Sequence, residues 1–348
     1  MTRRWYQSPR FWVSAITAVL VIAIVIGAWP TVVAAFHSLP QVNPWVMALL
    51  IPVQLASFAV TGESLFSYLR ARGELRGLHP LAAMRMSLEF NFANHMLPSG
   101  GAAGITYTSW KLATLGVAPA KGTLAQLARF GVTFVSFTIV LVVCSVWLIV
   151  SGRGTPLLLW VAAGVGVLAL VVTVGGVLLL RRRRPVHRFA GRLAAFVNAV
   201  GRRFGRPQLV APMVLVRFFD GLHLELRAVM EQPRALLAPF LWTFLVHACD
   251  AGLFWVGLAS FGLWPDPALV FVAYGMATVV SMVVATPNGI GGYELVMIGL
   301  LVSGGLPGAS VVAAITLTRV ILLLGTIVFG WAFYQHSVTR SSVAPSVV

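Results

Sequence analysis

The sequence has little charge for its length. Only 10% of its 348 residues are charged, whereas soluble domains usually carry about 25%. Hydrophobic residues make up 59% of the chain, and the mean hydropathy is +0.90. The polar surface is therefore too small to cover a water-soluble globule. Short alternating segments of the kind that build a membrane β-barrel are also absent, which leaves membrane helices.

Cysteine is scarce, and no pattern typical of an active site is present. Cys144 and Cys249 both lie in apolar runs, where a small core side chain is the simplest interpretation. No disulfide framework or zinc site is predicted. Gly100-Gly101 follows no strand and lacks the Gly-Lys-Ser/Thr ending of a nucleotide-binding loop. No nucleophile is paired with a base, so we expect neither a cofactor nor an enzymatic activity.

Acidic residues are also few, 9 against 25 Lys and Arg, and the net charge is +16. The cationic residues cluster between apolar runs, as the positive-inside rule expects, and this placement argues against nucleic acid as a partner. The clusters at 70–76, 111–121 and 181–235 are predicted to be cytoplasmic, which places both termini on the same side. The chain is predicted to be a multi-pass protein of the cell membrane.

Six apolar runs are long enough to cross a bilayer as helices. The first follows Arg3, Arg4 and Arg10 in the manner of a signal peptide, but it is too long for a signal core and no clear cleavage site follows. We interpret it as a membrane helix. The predicted helices are 11–36, 44–69, 123–150, 156–180, 236–261 and 308–334.

Two further regions, 80–118 and 267–304, are each interrupted near the middle by proline and glycine, around Pro98 and Pro287. Proline ends a helix because it lacks an N–H group and crowds the preceding turn. Irregular backbone at membrane depth is tolerated only where protein or a water-filled cavity surrounds it. Each region is therefore predicted to form a re-entrant hairpin of two helical pieces.

The same spacing follows both breaks. A glycine comes 18 positions after the proline in each region (116 − 98 and 305 − 287), and another proline and a spanning helix follow. Each of these helices carries one arginine, Arg129 or Arg319. We interpret 80–150 and 267–334 as two copies of one repeat unit.

The charge distribution predicts that the two units have opposite orientations, since the first break enters from the cytoplasm and the second from outside. This arrangement is typical of transporters with inverted repeats and sites near the bilayer midplane. The predicted fold class is an all-α polytopic membrane protein, with about six full transmembrane helices and two re-entrant broken hairpins. Residues 1–348 are predicted to form one domain.

The breaks are predicted to bind an anion. A half-helix that starts within the membrane presents free N–H groups and the positive end of its dipole, which suit phosphate. Two such ends, with Arg129 and Arg319, would hold one lipid phosphate, and Glu294 would offset their charge in the empty site or carry a coupling proton. The candidate substrate-binding residues are Asn91, His95, Pro98, Gly100, Gly101, Gly104, Lys111, Arg129, Pro287, Asn288, Gly289, Gly291, Gly292, Glu294 and Arg319.

Structural roles are the alternative for these residues. Arg129, Arg319 and Glu294 would then form ion pairs, and Asn91 and His95 would satisfy the broken backbone. The same alternative holds for the other ionisable residues in or beside apolar runs, which are Glu63, Arg85, Glu89, His247 and Asp250.

The segment 181–235 is the only sizeable polar part of the chain, with twelve arginines against three acidic residues. Apolar residues recur at helical spacing between Val216 and Met230. One interpretation is a helix that lies on the cytoplasmic leaflet, held by arginine to anionic headgroups. The other is a connector that merely follows the positive-inside rule.

The segment Pro287–Glu294 resembles the Pro-x-Gly-x-Gly-x-x-Glu signature of the lysylphosphatidylglycerol synthase transmembrane, or flippase-like, family. Leu97–Gly104 is similar to that family's first glycine-rich motif, and Arg319 also fits. In the bifunctional members, the multiple peptide resistance factors, the resemblance implies that this membrane part moves aminoacylated phosphatidylglycerol between leaflets. A separate soluble domain makes that lipid. Because the chain ends at Val348, the synthase domain is expected to be absent.

The expected function is translocation of an anionic phospholipid or a polyprenyl-phosphate-linked lipid between leaflets. One alternative is a membrane-embedded transferase that uses Glu89, His95 or Glu294 as a base. Another is a non-transporting subunit that recruits a partner through 181–235. Membrane lipids with anionic headgroups are the expected partners, and a homo-oligomer is left open.

Overall fold

We analysed a computed structural model of the chain, which describes residues 42–96, 102–152, 212–283 and 291–340, together with Pro40 and single positions between 164 and 198. Regular structure in these four ranges is helical throughout. The helices are α1 (Pro44–Ala48), α2 (Leu50–Ala71), α3 (Pro80–Met96), α4 (Ala102–Thr114), α5 (Pro119–Val150), α6 (Pro212–Glu231), α7 (Leu237–Ser260), α8 (Pro267–Val283), α9 (Gly292–Ser303) and α10 (Gly308–Arg340), with a 3-10 turn at Pro233–Leu236 before α7.

Four segments of the described chain are long and apolar enough to cross a membrane: Pro44–Ala71, Pro119–Val150, Pro233–Ser260 and Gly308–Trp331. They confirm four of the predicted spans. The predicted helices at 11–36 and 156–180 lie outside the described residues, apart from single helical positions such as Gly164 and Leu178. The protein is therefore an all-α membrane protein.

Both predicted breaks separate short helices. α3 and α8 have 17 residues each, and α4 and α9 have 13 and 12. At about 1.5 Å per residue, α4 and α9 are roughly 20 Å long, which is less than the roughly 30 Å of the hydrocarbon core. The residues of the breaks themselves, 97–101 and 284–290, lie outside the described part of the chain.

The turns that follow the two short helices have the same geometry. Gly116 and Gly305 both adopt left-handed conformations, with φ values of +86° and +93°. In both turns the glycine N–H bonds to the carbonyl three residues back, and the next N–H bonds to the carbonyl five residues back. This pattern is a Schellman motif, which favours glycine because it has no Cβ. A spanning helix of 32 or 33 residues follows each turn.

We expect Gly305→Ala to lower the free energy of unfolding by about 1 kcal/mol, since a left-handed conformation is costly for any residue with a Cβ. Gly299→Ala is the matched control. Gly299 lies within α9, where an added Cβ meets nothing within 4 Å, so alanine there should be neutral or slightly stabilising. Unfolding in detergent micelles, followed by circular dichroism, measures both. Equal stability of the two variants would contradict the expectation.

Helices α2 and α7 run antiparallel, and each hairpin packs at one of their ends. Asn43 N donates to Ser260 O (2.8 Å) at one end. At the other end, Arg72 follows the last residue of α2, and its Nη1 donates to Ala228 O (3.4 Å) of α6, the helix that precedes α7. The hairpin α3–α4 shares a hydrophobic cluster with the C-terminal end of α2, which contains Leu65, Leu69, Leu112 and Val117. The hairpin α8–α9 shares one with the C-terminal end of α7, which contains Leu258, Leu301 and Val311.

Small residues let the spanning helices approach closely. A Cβ on Gly62 of α2 would lie 2.8 Å from Ala83 O of α3. A Cβ on Gly257 of α7 would overlap Thr318 of α10. Close packing between helix backbones therefore stabilises the bundle, in addition to contacts between bulky side chains.

Helix α6, in the basic segment, packs on the bundle through part of its apolar face. Leu226 and Val229 are buried in the cluster that contains Leu69 and Val117. Met213 and Leu224 are exposed. Only this exposed part is free to contact a leaflet, while residues 181–190 and 199–211 of the basic segment lie outside the described residues.

Candidate functional site

Arg129 of α5 lines a narrow, partly open crevice between α2, α3, α4 and α5. Its guanidinium lies over the rings of Phe90 and Phe130, with 5.0 Å from Cζ to each ring centroid. Aromatic faces stabilise a cation without neutralising it. Among the described residues, no carboxylate lies within ion-pair distance of Arg129, and its Nε is buried without a hydrogen-bond partner.

Other polar atoms of the same crevice also lack partners in the described structure. They are Ser87 Oγ, Thr108 Oγ1 and Gln126 Oε1, and all three are buried. The Gln126 amide is fixed by the hydrogen bonds it donates to Ser109 Oγ (2.9 Å) and Ile105 O (3.2 Å). Buried polar groups without partners are costly. Arg129 and the two hydroxyls are donors that suit an oxyanion.

Glu89 lies beside this crevice in a closed network. Its side chain is fully buried, and its carboxylate accepts hydrogen bonds from Arg85 Nε (3.0 Å) and Tyr107 Oη (2.6 Å). Lys111 Nζ is 3.6 Å from the second carboxylate oxygen. Lys111, a predicted substrate-binding residue, thus forms an ion pair in this structure. The network joins α3 to α4 across the first break.

At the second break, Glu294 and Arg319 form an ion pair. Glu294 also accepts a hydrogen bond from Gly291 N (2.7 Å), just before the first residue of α9. The guanidinium of Arg319 lies 4.4 Å from the Tyr293 ring centroid. The protein's own carboxylate therefore lies at the N-terminus of α9, where an anion was predicted, and it offsets the charge of Arg319.

The two arginines lie at different depths along α7. His247 contacts Thr133 O (3.3 Å), and Arg129 lies four residues before Thr133 on the parallel helix α5, level with about position 243. Thr318, next to Arg319, lies against Gly257. Fourteen residues (257 − 243) correspond to roughly 20 Å. At this separation the two arginines do not meet at one phosphate in this structure, and each has different neighbours.

Some of the remaining predicted site residues lie in described helices, and the others lie outside the described part of the chain. Asn91 Nδ2 donates to Ser87 O (2.9 Å) of its own helix, a carbonyl that lies away from the break. Gly104 is buried in α4, and Gly292 begins α9. The His95 side chain and residues Pro98, Gly100, Gly101, Pro287, Asn288 and Gly289 lie outside the described part of the chain.

Sequence analysis missed the polar residues that α2 contributes. Thr61 lines the Arg129 crevice, and Ser57 Oγ donates to Asp250 Oδ1 (2.7 Å). A signal was present, since Gln54, Ser57, Thr61 and Ser64 recur at intervals of three and four residues and so share one face of an apolar helix. Within the described ranges, no group of three His, Cys, Asp or Glu side chains could hold a metal ion.

Comparison with protein families agrees with the resemblance of the glycine-rich motifs. One family model matches, and it covers residues 9–330. That range includes all ten described helices up to Gly330 and both breaks. Comparisons with curated proteins and with solved structures give no match. The chain therefore belongs to the family described as the lysylphosphatidylglycerol synthase transmembrane region.

Proposed function

We propose that this protein translocates a lipid with an anionic headgroup, an anionic phospholipid or a polyprenyl-phosphate-linked lipid, between the leaflets of the cell membrane. The observation that carries the proposal is Arg129, a cation in a membrane-spanning helix with no carboxylate partner among the described residues. Burial of an ionisable group within the membrane costs free energy, and such groups usually face a cavity or bind a ligand. A phosphate in the crevice would balance the charge.

The arrangement of the two hairpins supports an inverted repeat. Helices α3 and α4 pack at one end of the antiparallel pair α2 and α7, and α8 and α9 pack at the other. The turn glycines and the first residues of the spanning helices that follow them share one numbering offset, since 305 − 116 and 308 − 119 both equal 189. We propose that the first hairpin opens to the cytoplasm and the second to the outside. Sites that face opposite sides are what alternating access requires.

The transferase alternative needs a base that faces the substrate. In the described structure the Glu89 carboxylate already contacts Arg85, Tyr107 and Lys111. The Glu294 carboxylate contacts Arg319 and Gly291 N. Their oxygens are therefore occupied by donors of the protein itself and are not directed at a substrate. Arg129, in contrast, suits binding of an oxyanion without any chemical step.

The test uses purified protein in vesicles of phosphatidylcholine and phosphatidylglycerol, with a trace of fluorescent phosphatidylglycerol whose outer-leaflet fraction is measured by chemical quenching. We expect the wild type to exchange the probe between leaflets. Arg129→Gln should slow exchange by roughly 10- to 100-fold, as a lost charged hydrogen bond is worth about 1.5–3 kcal/mol. Arg129→Lys should recover part of the rate, because a bidentate grip on phosphate is lost.

Arg76→Gln is the matched control, since Arg76 is exposed in the turn before α3. It should exchange the probe at the wild-type rate. Wild-type exchange by Arg129→Gln would return Arg129 to a structural role, and no exchange by the wild type with any anionic lipid would remove the proposal.

A further inference from the structure

Asp250 is a carboxyl group in the middle of the spanning helix α7. It accepts hydrogen bonds from Ser57 Oγ of α2 (2.7 Å) and Tyr274 Oη of α8 (3.2 Å). In the part of the chain that the structure describes, no cationic side chain lies within ion-pair distance of it. A carboxylate at this depth without a cation is costly, and it becomes neutral by binding a proton.

The groups around Asp250 leave its charge unbalanced. Arg319 of α10 is paired with Glu294 of α9. Glu63, which lies almost two turns after Ser57 on α2, is paired with Arg70. The 3-10 turn carries Arg234, which is exposed and about four turns away. The short helix α1 has no titratable side chain. The other titratable groups with described side chains on these elements are Tyr68 on α2, Lys121, Arg129 and Cys144 on α5, His247 and Cys249 on α7 itself, Tyr274 on α8 and Tyr293 on α9.

Asp250 also lies midway between the two arginines in depth. Arg129 is level with about position 243 of α7, and Arg319 with about position 257. Seven residues separate Asp250 from each level (250 − 243 and 257 − 250), which is roughly 10 Å. Ser57, its hydrogen-bond donor, lies one turn from Thr61 of the Arg129 crevice. An anionic headgroup that moves between the two levels crosses the depth of this carboxyl.

We propose that Asp250 is a proton-binding site that couples lipid movement to the proton gradient. The inference rests on the proposed translocation. When Asp250 is ionised it repels a passing phosphate, and when it is protonated it does not. One proton carried with one singly charged headgroup makes the combined step electrically neutral. Lipid is therefore driven from the acidic side to the alkaline side of the membrane.

The experiment imposes a gradient of one pH unit on the vesicles described above. One proton per lipid should enrich the fluorescent phosphatidylglycerol up to about tenfold in the leaflet on the alkaline side, since one pH unit corresponds to a factor of ten. Asp250→Asn, which is permanently neutral, should still exchange the probe but show no enrichment. A dye trapped inside the vesicles should report proton entry with lipid for the wild type and none for the variant.

Asp266→Asn is the matched control, because Asp266 lies in the loop before α8 and asparagine can keep its hydrogen bond from Ala268 N. It should retain the enrichment. If the wild type exchanges lipid but does not respond to the gradient, or if Asp250→Asn responds fully, the inference falls while translocation stands. If the wild type exchanges no lipid, translocation itself fails.

Two further variants keep the test decisive should Asp250→Asn not fold. Ser57→Ala and Tyr274→Phe retain the carboxyl group and each remove one donor to its ionised form. The pH at half-maximal exchange should move to higher values in both. An unchanged pH dependence in both variants would overturn the proposal.

Discussion

Replacement of Glu89 by glutamine should destabilise the protein by about 3–5 kcal/mol, the usual cost of breaking a buried ion pair. Glu89 is fully buried, and Arg85, Lys111 and Tyr107 all direct donors at its carboxylate. Glutamine keeps the shape but removes the charge that two cations share. Since this network joins α3 to α4, the first hairpin should loosen before the rest of the bundle. Denaturant unfolding in detergent micelles measures the loss.

Glu74→Gln is the control for this experiment. Glu74 also pairs with a lysine, Lys121 (2.8 Å), but both side chains are more than a quarter exposed. Exposed pairs contribute at most about 1 kcal/mol, so this variant should remain near wild type. A Glu89→Gln protein as stable as Glu74→Gln would show that the buried network does not hold the hairpin together.

Replacement of Arg319 by glutamine should cost about 3 kcal/mol, since Glu294 would lose its cation within the membrane. Removal of both charges, in Arg319→Gln with Glu294→Gln, should recover at least half of that loss, because no charge is then left without its partner. Arg129→Gln leaves no carboxylate without a partner in the described structure and should stay within about 1 kcal/mol of wild type. Thermal unfolding of the four proteins in one detergent gives the comparison.

The expected pattern separates the two arginines by role. Arg319 contributes to stability through its pair, and Arg129 to binding. If the double variant were no more stable than Arg319→Gln, Glu294 and Arg319 would not be coupled, and the ion pair would have no part in stability.

Long apolar runs made the spanning helices predictable, because a run of about 20 apolar residues satisfies its own backbone hydrogen bonds in lipid as a helix. The predicted start of the helix at 123–150 was four residues late. α5 begins at Pro119, where proline suits the first helical position, but polar Lys121 hides this turn from a hydropathy criterion. The breaks were predicted from proline and glycine, which are conspicuous in an apolar background, and their residues lie outside the described part of the chain.

The partners of the charged residues could be predicted only in part. Glu294 was expected to offset Arg319, and the structure forms that pair, although 25 positions separate them. The isolation of Arg129 and the donors to Asp250 depend on which faces of α2, α5 and α7 meet. The contacts between these faces join residues far apart in the chain, such as Ser57 and Asp250. Helical periodicity alone does not predict which faces pack together.

The even spacing in depth of Arg129, Asp250 and Arg319 relative to α7 bears on the barrier in the proposed translocation. These three polar side chains lie at levels roughly 10 Å apart within a bilayer core of about 30 Å. If lipid moves as proposed, a headgroup that leaves one level would reach the next before it loses all polar contacts. The single high barrier of unassisted crossing would then become a series of lower ones, and the highest of these would set the rate.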